Sequence, residues 1–193
     1  LAADMPKFSA DRLTVTIPIK HGVKFQDDPA FKETQGKGRE LKAQDFVFAF
    51  KRLALPSIQS QGWWIFDNKL AGINAFHDKL VDAPKENLEE NFDAPIEGLR
   101  AVDDYTLQLK LTKPYPQLLY ILTMTFTAPV PHEAVKAYAD KQGNITEKAV
   151  GTGPFILKKW DRGHRLVLEK NPNFHPDFYP MTGSDLYRKK GLL

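Results

Sequence analysis

Five histidines (His21, His77, His132, His164 and His175) are the first residues to weigh for chemistry. An imidazole can ligate a metal or move a proton near neutral pH. No two of them stand at the i, i+4 spacing that puts a pair of ligands on one helix face. His77 lies on an apolar helical face, where a hydrogen-bonded, partly buried ring is the expected state. The carboxylate pairs Asp27-Asp28 and Glu89-Glu90 fall in polar stretches without periodicity. General acid–base chemistry needs two carboxyls from fixed elements facing one site, so these pairs read as solvated loops. The serines lack a G-x-S-x-G context, so no nucleophile elbow is expected. Gly151-Thr152-Gly153 lacks the Lys-Ser/Thr tail of a phosphate loop and precedes a strand pattern, which makes it a tight entry into a hairpin. The absence of cysteine removes disulfides, thiol catalysis and cysteine-bound metal. No catalytic residue, metal site or cofactor is therefore expected. Trp63-Trp64 stands out instead. Adjacent tryptophans opening a helix can send one ring to the core and the other outward, and an exposed indole offers much contact area at little entropic cost.

The elements that would position these residues are legible. Leu13, Val15, Ile17 and Ile19 alternate with polar residues and Pro18, as in a half-buried strand. Residues 27–40 have no period and read as a surface loop. Phe46, Val47, Phe50 and Leu53 recur at helical spacing, giving a helix over Ala43–Leu53 that Pro56 ends. A second helix is expected to carry Phe66, Leu70, Ile73, His77 and Leu80 on one face. Residues 96–102 and 105–112 form a hairpin, with Leu107, Leu109 and Leu111 on its buried face. Short helices follow at 117–122 and 132–140. Phe155–Trp160 and Arg165–Lys170 make another hairpin around Asp161-Arg162-Gly163. The fold class is α+β, a mixed fold of antiparallel hairpins and separate helices.

Bulk properties narrow the function. With 27 basic and 24 acidic residues the net charge is +3, and the basic residues are scattered among acidic ones. That surplus is too small to imply nucleic acid, and no nucleic-acid partner is expected. No apolar run approaches the roughly 20 residues that span a bilayer. The chain opens on Leu1 and closes within what reads as the start of another element, so it is expected to be an internal piece of a longer protein.

Several segments together resemble the family 5 extracellular solute-binding proteins, which include the oligopeptide- and dipeptide-binding components of ABC importers. They are Leu13-Thr14-Val15-Thr16-Ile17, Gly22-Val23-Lys24-Phe25, Leu41 to Leu53, Ala101-Val102-Asp103-Asp104-Tyr105-Thr106-Leu107, Pro114-Tyr115-Pro116, Pro129-Val130-Pro131, Gly151-Thr152-Gly153-Pro154-Phe155, Trp160, and Val167 to Phe174. Two departures stand out. Lys42 occupies the place of a helix-capping threonine, and Phe174-His175 replaces a tyrosine-tryptophan. The resemblance implies a type II periplasmic-binding-protein lobe carrying an inserted smaller subdomain. On that reading residues 1–40 belong to the main first-lobe subdomain, 41–140 to the insert and 141–193 to the main subdomain again. A second lobe, supplying the acid that pairs with a peptide's amino terminus, would follow residue 193. The implied function is peptide binding in an interlobe cleft and delivery to an ABC permease, by a monomer in the periplasm or outside the cell, with or without a lipid anchor. The alternatives are an oligosaccharide or nickel-complex binder, or a sensor module. The resemblance points to Trp63, Trp64 and Tyr179 as ligand-binding residues.

Overall fold

The computed structural model describes residues 1–81 and 93–175. Four strands make one antiparallel sheet in the order β1-β2-β4-β3: β1 Lys7–Phe8, β2 Thr14–Pro18, β3 Leu99–Asp103 and β4 Thr106–Lys110. The register pairs Val15 with Leu109 and Ile17 with Leu107, so the alternating apolar residues of both strands share one face. The opposite face is polar. There Thr16, Gln108 and Arg100 form one cross-strand row, with Arg100 Nε donating to Gln108 Oε1 at 3.0 Å.

The apolar face is covered by α1 (Ala43–Leu53), whose Phe46, Val47 and Phe50 are buried. Phe50 meets Phe66 at 4.8 Å and Phe46 at 6.3 Å between ring centroids. Lys42 cannot accept a hydrogen bond, so it cannot replace a threonine cap. The helix start is held from the other side, by the Asp45 carboxylate accepting the Lys42 N–H at 2.9 Å. The remaining helices are α2 (Ile73–Val81), α3 (Leu118–Ile121) and α4 (His132–Tyr138).

The second helix is shorter than its periodicity predicts. Trp63–Ile65 is a single 3₁₀ turn, and Asn68 takes φ 56° before α2 begins at Ile73. A left-handed residue cannot sit inside an α-helix. Phe66, Leu70, Ile73 and Leu80 are nevertheless all buried, because turn and helix fold onto the same core. The burial pattern holds throughout, and the helix holds only from Ile73 onward. The expected polar loop at 82–93 lies almost wholly outside the described residues.

The expected domain boundary at residue 40 falls between β2 and β4, which pair in one sheet. One core joins Val15, Ile17 and Phe25 on one side of it with Phe50, Leu107 and Leu118 on the other. The second sheet is separate. It is a two-stranded hairpin of β5 (Phe155–Asp161) and β6 (Arg165–Lys170), turned at Gly163 with φ 73°. Among the described residues, this hairpin contributes no side chain to the core. Phe155, Trp160, Leu166 and Leu168 are exposed large apolar residues.

Candidate functional site

The two tryptophans of the 3₁₀ turn have different surroundings. Trp63 packs against the core and stacks on His77, with centroids 4.6 Å apart and planes 15° from parallel. The Ala54 carbonyl lies 2.7 Å from His77 Nδ1. A carbonyl only accepts, so Nδ1 carries the proton and donates, and the ring is committed to structure. Trp64 is 47 % exposed. Beside it, Lys69 Nζ donates to the Trp64 carbonyl at 2.6 Å and lies 6.0 Å from the Trp64 ring and 5.4 Å from the Tyr115 ring. An ammonium between two aromatic faces is attracted to both. Burial raises the Tyr115 phenol above its usual pKa, which keeps it neutral. Lys69 and Tyr115 carried no functional signal in sequence. Tyr115 sits in Pro114-Tyr115-Pro116, and the preceding residues are tied to the Lys69 segment by the Thr112 N–H on the Lys69 carbonyl at 2.9 Å and by a bridge between Leu70 and Leu111. Tyr179 lies outside the described residues.

The pair separates by experiment. Trp63→Ala should cost about 2 kcal/mol of stability through lost packing on His77 and the core. Trp64→Ala should stay within about 0.5 kcal/mol. Urea unfolding of both variants checks this, and equal losses would mean that Trp64 is also a packing residue.

A concavity of about 450 Å³ lies between the 30–34 turn and α4, lined by Phe31, Arg39, His132, Glu133 and Lys136. Its wall is an ion network. Arg39 donates Nη2 to Asp45 Oδ1 at 2.7 Å and Nε to Glu133 Oε1 at 2.5 Å. The Arg39 guanidinium also lies over the Phe25 ring at 5.2 Å. Burial opposes the Arg39 charge, but the two carboxylates outweigh it and raise its pKa. Burial likewise pushes Glu133 up, and the Arg39 hydrogen bond and charge bring it below the usual carboxylate value. With Arg39 engaged by two carboxylates, this concavity is better equipped to hold α1 and α4 together than to take a charged ligand.

A third polar cluster joins the 25–38 segment to the residues flanking β5 and β6. Asp27 accepts from Lys37 Nζ at 2.8 Å, the Gly38 N–H at 2.9 Å and Asn173 Nδ2 at 2.7 Å. These donors, Lys37 first, lower its pKa to about 2. A depressed carboxylate contributes stability above its unfolded value near 4 and loses it as pH falls through the folded value. Stability should therefore fall as pH drops from about 4 toward 2, and Asp27→Asn should flatten that segment of the profile. Denaturant midpoints at stepped pH would read this, and an unchanged slope in the variant would assign the acid loss to other groups.

The family model for bacterial extracellular solute-binding proteins, family 5 Middle, matches residues 1–188, and the chain belongs to that family. The periplasmic oligopeptide-binding protein OppA of Escherichia coli is 32 % identical over 141 residues, covering 71 % of this chain and 23 % of OppA. The dipeptide-binding protein of Escherichia coli is 29 % identical over 168 residues, covering 85 % of this chain and 27 % of that protein. Among solved structures, Listeria monocytogenes OppA bound to peptide superposes with a TM-score of 0.63 at 24 % identity, over 90 % of this chain and 30 % of that one. The fold is thus that of the type II periplasmic binding proteins of family 5, as the sequence motifs imply. The chain spans about a quarter of the length of these curated relatives.

Proposed function

We propose that this chain is part of the substrate-binding component of an ABC importer, which takes peptides into an interlobe cleft and presents them to a membrane permease. The observation that carries this reading is the family match over residues 1–188, together with relatives named as oligopeptide- and dipeptide-binding proteins. In this reading the protein is not an enzyme. It works as a monomer in the periplasm or outside the cell, free or lipid-anchored. A cleft that hydrogen-bonds the peptide backbone and leaves room for side chains binds tightly with little sequence preference, and closure about a hinge gives the permease a signal to read.

Within this reading the four-stranded sheet with α1 to α4 is the smaller subdomain, because β2 and β4 share one sheet and one core. The β5–β6 hairpin begins the return to the main part of the lobe. Of the two tryptophans, the exposed Trp64 is the candidate to meet a ligand, while Trp63 packs against the core. A second reading is favoured by one relative, the probable deoxycholate-binding periplasmic protein YgiS of Escherichia coli, 28 % identical over 137 residues. The same scaffold would then hold an amphipathic small molecule.

Native mass spectrometry of the full-length parent, purified without denaturation, separates the two. Co-purified peptides of mixed sequence are the expected result. A single small-molecule adduct would transfer the function to the second reading. An empty protein without a thermal shift on a peptide library would overturn peptide binding.

A further inference from the structure

The β5–β6 hairpin is attached to the rest of the chain in an unusual way. Its strands give nothing to the buried core among the described residues, so apolar burial against that core does not hold it in place. What joins it is polar. Gln26, Thr152 and Asn171, half of the buried polar side chains among the described residues, all lie at this junction. The Gln26 N–H donates to the Gly151 carbonyl at 2.9 Å, and Gln26 Nε2 donates to the Ala149 carbonyl at 3.2 Å. Asn171 closes the base of the hairpin, with its N–H on the Pro154 carbonyl at 2.8 Å and Nδ2 on the Gly153 carbonyl at 2.8 Å. Its Oδ1 accepts the Asn173 N–H at 3.0 Å, which aims the next side chain. Asn173 Nδ2 then spans the junction, donating to the Phe25 carbonyl at 3.0 Å and to Asp27 Oδ1 at 2.7 Å. Gly38 makes room for this contact, since a Cβ there would stand 1.9 Å from the Phe25 carbonyl oxygen.

Hydrophobic contact is non-directional and permits sliding, whereas hydrogen bonds fix angle and distance. We infer that Asn173 and Asp27 are positioning residues: together with Gln26 and Asn171 they form a polar weld that sets the orientation of the β5–β6 hairpin relative to the four-stranded sheet. The Asn-Pro-Asn sequence acts here as a two-sided connector. Asn171 faces the hairpin, Asn173 faces the sheet unit, and the proline between them stiffens the backbone that separates them. The inference concerns the geometry of this chain alone and holds whichever ligand the full protein takes.

The chain contains no cysteine, so a pair of spin labels can be placed cleanly. Asp78→Cys on α2 and His164→Cys on the hairpin turn are both at exposed positions. Pulsed dipolar spectroscopy on the full chain should give a single narrow distance distribution. Asn173→Ala should broaden it about twofold. Asn173→Asp sets a carboxylate against Asp27 and the Phe25 carbonyl, and should broaden it further or shift it. Amide protection in β2 and β4 is expected to persist in both variants, which separates loosening of the junction from loss of the fold. Should Asn173→Asp not fold, Asn173→Ala carries the test. A distribution as narrow in a folded variant as in the unaltered chain would overturn the inference, and so would a broad distribution in the unaltered chain.

Discussion

Replacing Arg39 with alanine should lower the stability of this chain by about 3 kcal/mol, among the largest effects of any single substitution in the loop between residues 27 and 40. Its guanidinium joins the start of α1, through Asp45, to the start of α4, through Glu133. The Asp45 side chain is only 5 % exposed. Without its partner, that carboxylate keeps the Lys42 N–H and loses the cation that compensates its burial. An uncompensated buried charge is costly, whereas the intact pair adds little net stability. The arginine also covers Phe25 and Phe31, so truncation removes packing as well as charge. Arg39→Lys should recover less than half of the loss, because a point charge cannot address two carboxylates with parallel hydrogen bonds. Urea unfolding of the two variants tests this. A loss below about 1 kcal/mol in Arg39→Ala would mean that water screens the network and that it contributes little.

Phe50→Ala should cost about 4 kcal/mol. Phe50 is 1 % exposed, and its ring sits between Phe46 of the same helix and Phe66 beyond the 3₁₀ turn. Its removal opens a cavity that three elements would have to close together. The unfolding midpoint should fall while the dependence on denaturant stays constant, since the surface exposed on unfolding hardly changes. A change in that dependence would instead indicate that the 63–73 segment had detached from the core before global unfolding.

These residues also mark how far the sequence could be read. Ala43–Leu53 was recoverable because its apolar spacing, first-turn acid and closing proline all agree. The hairpin at β3 and β4 was recoverable because strict alternation has no helical explanation. The stretch from Trp63 to Gly72 misled in type but not in burial, since turns leading into a short helix can bury the same positions as one long helix. Residues 27–40 carried no pattern, and their order comes from distant partners. Arg39 and Glu133 are 94 positions apart, and Asp27 and Asn173 are 146 apart. Such pairs leave no periodic trace, so the ion network and the junction were invisible in the sequence. Of the site, the tryptophan pair was legible and its division of labour was not, because the partners that decide it, His77 and Lys69, are set by the turn at Asn68.

The pairing of Val15 with Leu109 has a consequence for how the chain comes into being. On a ribosome, the strand carrying Val15 and Ile17 emerges long before the strand that will satisfy its backbone and cover its apolar side. At roughly 5–20 residues per second, that segment waits several seconds with its edge open. Early compaction would have to come from α1 and its aromatic neighbours, whose contacts are closer in sequence, with β2 recruited only after β4 appears. An extended chain kept waiting in this way is a natural client for a holdase.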